Sequence, residues 1–213
     1  MKNFIIFEGP DFSGKTTIMN KLNDKFLSKQ FFYDTREPGS FLIPSMFECE
    51  KYREMLLKNN YTPLEQAVIF SKSRYIHTLD IVKYLKIHNV ICDRYIVSSL
   101  AYQGYAQELG KDTIYELNKC SLDLLKDNDI KMHIFKFNIS KDEWLKRKNK
   151  RLKETKLDEI ENKNLDDKIM DFFNTKYIYE YYTDSLNAIH YDINADLPID
   201  KLYKNIVNII KKM

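Results

Sequence analysis

The sequence predicts an α/β protein in which a parallel sheet of five short strands lies between helices. Short apolar runs alternate with segments of helical apolar spacing along the 213 residues, and this alternation is typical of parallel sheets covered on both faces. Charged residues directly follow two of the apolar runs, at Arg36-Glu37 and Asp93-Arg94. The length suits a single domain over residues 1–213.

The first predicted strand, Phe4 to Phe7, runs into a glycine-containing loop and then a helix. Residues 9–16 fit the pattern G-x-x-x-x-G-K-[ST], whose backbone N–H groups surround phosphate oxygens. Lys15 would reach the β and γ phosphates, and Thr16 would offer its hydroxyl to Mg²⁺. The motif predicts a nucleoside triphosphate site in a three-layer α/β/α P-loop NTPase fold, with contacts from Gly9, Pro10, Asp11, Phe12, Ser13, Gly14, Lys15, Thr16 and Thr17.

The other elements are predicted from apolar spacing and from residues that begin or end helices. One helix has a full start signal, Thr62-Pro63-Leu64-Glu65, with a cap residue, a proline in the first turn and an acid three positions after the cap. The segment 98–104 is predicted to be polar-faced. In chain order the elements are helix 17–29, strand 31–35, a helix within 41–60, helix 62–85, strand 89–94, helix 112–126, strand 131–137, basic helix 141–153, helix 162–187, strand 188–193 and helix 198–211.

Composition excludes several classes of protein. The net charge is only +3 and the basic residues are spread out, apart from a run near residue 150, so no nucleic-acid partner is predicted. No apolar run is long enough to span a membrane. Cys49, Cys92 and Cys120 have no metal-ligand spacing and suit free thiols in a reducing cytoplasm. Because the first strand leaves no room for a signal peptide, we expect a cytoplasmic protein.

Four arginines accompany the phosphate loop: two follow strand ends, Arg36 and Arg94, and two lie on predicted helices, Arg53 and Arg74. The guanidinium group matches phosphate oxygens bidentately. Since the loop already binds the phosphates of the donor, the arginines indicate a second phosphorylated ligand, a monophosphate acceptor. Asp93, at the tip of its strand, is predicted to act on Mg²⁺ or its waters.

Several motifs, in order along nearly the whole chain, resemble those of thymidylate kinases: Phe7-Glu8-Gly9, Arg36-Glu37-Pro38-Gly39, the segment 70–74, Asp93-Arg94-Tyr95 and residues 98–104. The resemblance implies Mg²⁺-dependent transfer of the ATP γ-phosphate to dTMP, giving ADP and dTDP for dTTP biosynthesis. It also implies a homodimer formed through helices at about 42–58, 64–86 and 98–107.

The resemblance also implies a role for each matching residue. Asp11 would lie near the sugar 3′-hydroxyl and the transferring phosphate. Arg36 and Arg94 would bind the acceptor phosphate, with Glu37 at the same edge and Arg53 as a further arginine on the acceptor side. The remaining implied roles are stacking on thymine (Phe70), contact with the base (Arg74, Ser99 and Gln103) and restriction of a 2′-hydroxyl (Tyr102).

A helical lid is predicted at about residues 146–160. The phosphate loop carries no arginine, whereas some thymidylate kinases have one there, so positive charge for the migrating phosphoryl group would come from elsewhere. Residues 146–156 hold seven cations, and we predict that Arg147 and Arg151 close over ATP. Lys156 and Glu159 stand where family members have arginines, which leaves open the cation that reaches the transition state.

Two alternatives remain open. The chain could be a nucleoside monophosphate kinase of broader specificity or a deoxynucleoside kinase, although the arginines favour a phosphorylated acceptor. A nucleotide-binding switch such as a small GTPase would need an Asn-Lys-x-Asp motif for guanine, which the sequence lacks.

Overall fold

A five-stranded parallel sheet forms the centre of the molecule. The computed structural model describes residues 3–25, 32–154, 165–174 and 188–213. Neighbouring strands are parallel throughout, and their order across the sheet is β2-β3-β1-β4-β5. The strands are β1 (Phe4–Glu8), β2 (Phe32–Arg36), β3 (Asn89–Asp93), β4 (Met132–Asn138) and β5 (Ala188–Asn194).

Helices connect the strands and cover both faces of the sheet. A short helix after β3 changes into a π-helix, whose wider turn is uncommon and frequently occurs at functional sites. The helices are α1 (Lys15–Lys25), α2 (Ser45–Lys58), α3 (Pro63–Tyr84), α4 (Ile96–Ser99) with its π-helical continuation (Leu100–Ala106), α5 (Lys111–Asp127), α6 (Lys141–Glu154), α7 (Asp166–Asn174) and α8 (Ile199–Ile210).

The sheet separates two hydrophobic cores. Side chains alternate along a strand, so Phe4 and Ile6 of β1 join a core with helices α3, α5 and α7. Ile5 and Phe7 face the opposite core, which includes residues of α1 and α8. All five residues of β1 are buried, as expected for the central strand of a covered parallel sheet. The predicted three-layer α/β/α arrangement is confirmed.

Most element predictions agree with the described structure to within a few residues. In the predicted polar-faced segment 98–104, the polar side chains of Ser98, Ser99, Tyr102 and Gln103 line a cleft. Leu100 and Ala101 are buried in a hydrophobic core, so the polar side chains of this segment face the cleft. Parts of two predicted helices, residues 26–29 of the first and residues 162–164 and 175–187 of the other, lie outside the described residues. The 155–160 part of the predicted lid also lies outside them, and residues 146–154 belong to α6.

The strand register brings the predicted chemistry to one edge of the sheet. Phe7 of β1 and Arg36 of β2 both pair with Asp93 of β3. The chain therefore leaves all three strands at the same level, and the residues that follow them meet beyond their carboxyl ends. This is the edge at which open α/β sheets bind ligands.

Candidate active site

The phosphate loop follows β1 and has a backbone that only glycine suits at two positions. Gly9 and Gly14 have φ angles of 152° and 94°, a region that side chains disfavour. A Cβ atom on Gly9 would lie 2.8 Å from the carbonyl oxygen of Phe137. The loop thus lies close to the end of β4, where only glycine fits at position 9.

Lys15, at the start of α1, lies over this loop. Its Nζ donates hydrogen bonds to the carbonyl oxygens of Gly9 and Pro10, at 2.9 and 2.8 Å. Burial, followed by the nearby charge of Arg94, lowers the pKa of Lys15 to about 8. A phosphate anion beside Nζ would favour the charged form again, so the energetics of this lysine suit an anionic ligand.

Thr16 and Asp93 fit a bound Mg²⁺. The Thr16 hydroxyl donates to Oδ2 of Asp93 at 3.1 Å. Oδ1 of Asp93 is buried and has no hydrogen-bond partner among the described residues. Within the described part of the chain no cluster of three or more His, Cys, Asp or Glu could hold a metal. A cation here would take its other ligands from phosphate and water, as Mg²⁺ does.

A cleft of about 480 Å³ opens beside the phosphate loop. Every residue predicted to bind the acceptor lines it, together with both predicted metal ligands and one of the two lid arginines. Those predicted residues are Asp11, Thr16, Arg36, Glu37, Arg53, Phe70, Arg74, Asp93, Arg94, Ser99, Tyr102, Gln103 and Arg151.

Asp11 and Arg94 connect the phosphate loop to this cleft. Nη2 of Arg94 and the hydroxyl of Tyr102 donate to the two oxygens of the Asp11 carboxylate. Nη1 of Arg94 also donates to the carbonyl of Gly9, at 3.1 Å. Burial raises the pKa of Asp11, but the charges of Arg94 and Lys15 outweigh it and lower the pKa overall. Asp11 is therefore a carboxylate at neutral pH.

Arg74 forms the floor of the cleft. Its side chain is almost completely buried, and its Nε donates to Oε2 of Glu37 at 2.6 Å. Its Nη atoms donate to Asn118 Oδ1 at 2.5 Å and to Ser99 Oγ at 3.0 Å. Phe70 lies one helical turn earlier and lines the same cleft. A buried charge needs partners of this kind, and they fix the guanidinium in one orientation.

The structure separates the two arginines predicted for the lid. Nη1 and Nη2 of Arg147 donate to the carbonyl oxygens of Ser13 and Ala195, at 3.2 and 2.7 Å. Arg147 thus lies against the phosphate loop and does not line the cleft, whereas Arg151, one turn later on α6, does.

Comparison with known proteins identifies the family. A sequence profile described as "Thymidylate kinase" matches residues 7–193, which is most of the chain. The chain belongs to the thymidylate kinase family. The predicted family and the predicted activity, that of a nucleoside monophosphate kinase acting on thymidylate, are therefore confirmed.

Curated members of the thymidylate kinase family match over almost their full length. A thymidylate kinase of Mycoplasma mobile is 34% identical over 223 residues, covering 99% of this chain and 98% of that protein. One of Bacillus cereus (strain B4264) is 33% identical, covering 98% and 96%. The crystal structure of a thymidylate kinase from Ehrlichia chaffeensis has a TM-score of 0.65 at 24% identity, covering 99% and 98%, which supports the fold.

Sequence reasoning missed several residues that support this thymidylate kinase site. Glu8 is fully buried at the end of β1 and accepts hydrogen bonds from the backbone of Tyr95 and the hydroxyl of Ser98, both at 2.7 Å. His77 is buried on α3, and its Nδ1 lies 3.2 Å from Glu37 Oε1. The one available signal for His77 was its position three residues after Arg74 on the same helix.

Proposed function

We propose that this protein transfers the γ-phosphate of ATP to dTMP, with Mg²⁺, and produces ADP and dTDP. The observation that carries the proposal is the bridge made by Asp11 and Arg94, which joins the phosphate loop to the arginine-lined cleft. Donor phosphates on the loop and an acceptor phosphate in the cleft would meet at this bridge. Membership of the thymidylate kinase family supports the same reaction.

In this proposal catalysis is positioning and neutralisation of charge. Lys15 and the loop N–H groups hold the donor phosphates, and Arg36 and Arg94 hold the acceptor phosphate. Thr16 and Asp93 would hold Mg²⁺, which supplies charge neutralisation on the phosphate oxygens when bound. The acceptor phosphate is already an anion, so no general base is needed. Orientation and fixed positive charge then lower the barrier.

The rest of the cleft would select the nucleoside. Phe70 provides a ring that can stack on thymine, and Arg74, Ser99 and Gln103 provide polar groups for the base edge. Tyr102, fixed by Asp11, would leave no space for a 2′-hydroxyl. Arg53 lines the cleft and donates to the carbonyl of Pro38, two residues after Arg36, at 3.0 Å, which supports its proposed role on the acceptor side.

We propose that residues 146–160 act as the lid of a single domain that spans residues 1–213. Among the described cations of this segment Arg151 lines the cleft, so it is the one that we propose to approach the migrating phosphoryl group. Arg147 would instead support the donor side, since it donates to backbone carbonyls at the phosphate loop.

An ADP-release assay with ATP, Mg²⁺ and a panel of acceptors tests the reaction. The panel is dTMP, dUMP, dCMP, dGMP, AMP and thymidine. We expect strong release with dTMP and almost none with the other acceptors. Lys15→Ala should abolish release because it removes the charge on the donor phosphates, while its thermal midpoint should show that the variant is folded.

Each other outcome points to a different function. Release with several monophosphates would indicate a broader nucleoside monophosphate kinase, and release with thymidine alone would indicate a deoxynucleoside kinase. No release from the wild-type protein with any acceptor would leave a nucleotide-binding role. Wild-type turnover by Lys15→Ala would contradict the assignment of the phosphate loop. The relatives reported above, all named thymidylate kinase, favour dTMP over these alternatives.

We also propose a cytoplasmic homodimer with no nucleic-acid partner. Helices α2 and α3 expose large apolar side chains, among them Phe47 (64% exposed), Leu64 (50%) and Leu79 (36%), which a second copy could cover. None of the helices in the described part of the chain is long and apolar enough to cross a membrane. Light scattering should give a dimer mass for the wild type and a monomer mass for Leu79→Glu; a monomeric wild type would contradict the proposal.

A further inference from the structure

Trp144 on helix α6 contacts the phosphate loop. Its indole Nε1 donates a hydrogen bond to the backbone carbonyl of Asp11 at 2.9 Å. Its ring meets that of Phe12 edge to face, with centroids 6.0 Å apart. The side chain is 5% exposed although it belongs to a largely polar helix. Two successive residues of the loop are thus contacted by one side chain.

The contacted turn has a conformation that its residues do not favour. Phe12 has a φ angle of 62°, in the left-handed region that bulky residues seldom adopt. Such a conformation persists only where surrounding contacts hold it. The hydrogen bond to Asp11 and the ring contact with Phe12 are contacts of this kind, and both come from Trp144.

Asp11 is held from two sides. Its carbonyl accepts from Trp144, while its carboxylate accepts from Arg94 and Tyr102 in the cleft. A rotation of the backbone at this residue would move the carboxylate away from Arg94. The position of the carboxylate in the cleft therefore depends on the contact that lies outside it.

The contacts of Trp144 with the loop also affect the position of Arg151, because both residues belong to helix α6. Arg151 follows Trp144 by seven residues, which is about two helical turns, so both lie on one face of the helix. Arg147 lies between them on that face and donates to Ser13 of the loop. The place where Trp144 meets the loop thus helps to set where Arg151 meets the cleft.

We propose that Trp144 is a positioning residue for phosphoryl transfer: through its contacts with Asp11 and Phe12, it fixes the phosphate loop and the reach of Arg151. The inference deepens the proposed function and rests on it. Trp144 does not line the cleft, so it acts through these residues and not on substrate.

Variants at position 144 and at position 12 test the inference. Trp144→Phe keeps an aromatic ring but removes the indole N–H together with the five-membered ring that carries it, and we expect kcat with dTMP to fall by at least about fivefold, as for the loss of one hydrogen bond. The thermal midpoint should change by no more than about 4 °C. Trp144→Leu should lower kcat further. Leu145→Ala, at the exposed neighbouring position of the same helix, is the matched control and should keep wild-type kcat and KM.

A double-mutant cycle separates positioning from general stability. Glycine adopts a φ of 62° without the steric strain that phenylalanine has there. Trp144→Leu should therefore lower kcat less in a Phe12→Gly background than in the wild type. Equal effects in both backgrounds, or wild-type kcat and KM in Trp144→Phe, would overturn the inference. If Trp144→Leu does not fold, Trp144→Phe decides alone.

The test distinguishes this inference from the proposed reaction. A wild-type protein that releases no ADP with dTMP would refute the reaction. The affinity of the same variants for Mg·ADP, measured by calorimetry, would then test the inference, with weaker binding by Trp144→Phe expected and unchanged binding overturning it.

Discussion

Arg36 owes its position at the cleft to Glu50, which lies fourteen residues later on α2. Nη2 of Arg36 donates to both oxygens of the Glu50 carboxylate, at 3.1 and 3.0 Å. The backbone N–H of Ser40 donates to the same carboxylate at 3.1 Å. Glu50 therefore joins the end of β2 to the turn that follows it. The Nε atom of Arg36 is buried and has no hydrogen-bond partner among the described residues.

Glu50→Gln should raise the KM for dTMP more than it lowers kcat. The amide has one acceptor oxygen and no charge, so it cannot hold Arg36 in the same way, and an increase of about three- to tenfold in KM is expected for a partly exposed pair. Initial rates at varied dTMP and saturating ATP measure it. Glu54→Gln removes an exposed carboxylate from the same helix and is the matched control.

An unchanged or lower KM for Glu50→Gln would contradict this role. An unchanged KM would mean that the Glu50 carboxylate does not support acceptor binding, and a lower KM would mean that it competes with the acceptor phosphate for Arg36.

Helix α6 carries two arginines that we expect to have different effects. Arg151 lines the cleft, whereas Arg147 donates to the carbonyls of Ser13 and Ala195. Arg151→Ala should lower kcat about 10- to 100-fold with little change in the KM for dTMP, because a cation that acts on the migrating phosphoryl group is needed mainly in the transition state. Steady-state kinetics with both substrates varied measure this split.

Arg147→Ala and Lys141→Ala complete the comparison on the same helix. We expect Arg147→Ala to raise the KM for ATP, and Lys141→Ala, which removes an exposed cation paired with Asp167, to leave the kinetics unchanged. A wild-type kcat for Arg151→Ala would move the lid role to Arg147 or to a lysine.

Elements with local signals could be predicted, and those that depend on distant contacts could not. The start of α3 was predictable because its capping box needs only four consecutive residues, and the structure has both hydrogen bonds between Thr62 and Glu65. The cleft residues were predictable because they follow strand ends or belong to family motifs. The contact of His77 with Glu37 spans 40 residues, and the contact of Trp144 with Asp11 spans 133, so no local pattern reports them.

At the scale of the whole molecule, the buried His133 and the half-buried His190 make stability depend on pH. Burial and then Lys131 lower the pKa of His133. Burial also lowers the pKa of His190. The charge of Asp192 opposes this shift, and the charge of Lys136 adds to it. At a pH just below the ordinary histidine pKa of about 6.5, the unfolded chain therefore binds more protons than the folded chain. The contribution of the two neutral histidines to the free energy of unfolding is fully present above that pH and is lost as the pH falls.

The thermal midpoint should therefore fall between pH 7.5 and pH 5.0, and should fall less in His133→Gln. The difference should be about 2 °C for a chain of this length. Scanning calorimetry of both proteins at both pH values measures it. Glu8, whose pKa is raised by burial although Ser98 opposes it, acts in the opposite direction in both proteins, so the comparison isolates His133. Equal drops would show that His133 does not contribute.

The position of Trp144 also gives the protein a built-in optical reporter. The chain contains one tryptophan, so all indole fluorescence comes from a ring that touches the phosphate loop at Asp11 and Phe12. Any change in the polarity or rigidity of that turn will alter the emission wavelength, the anisotropy or the access of a quencher. Nucleotide arrival at the loop can thus be followed in real time by stopped-flow fluorescence, without an attached dye.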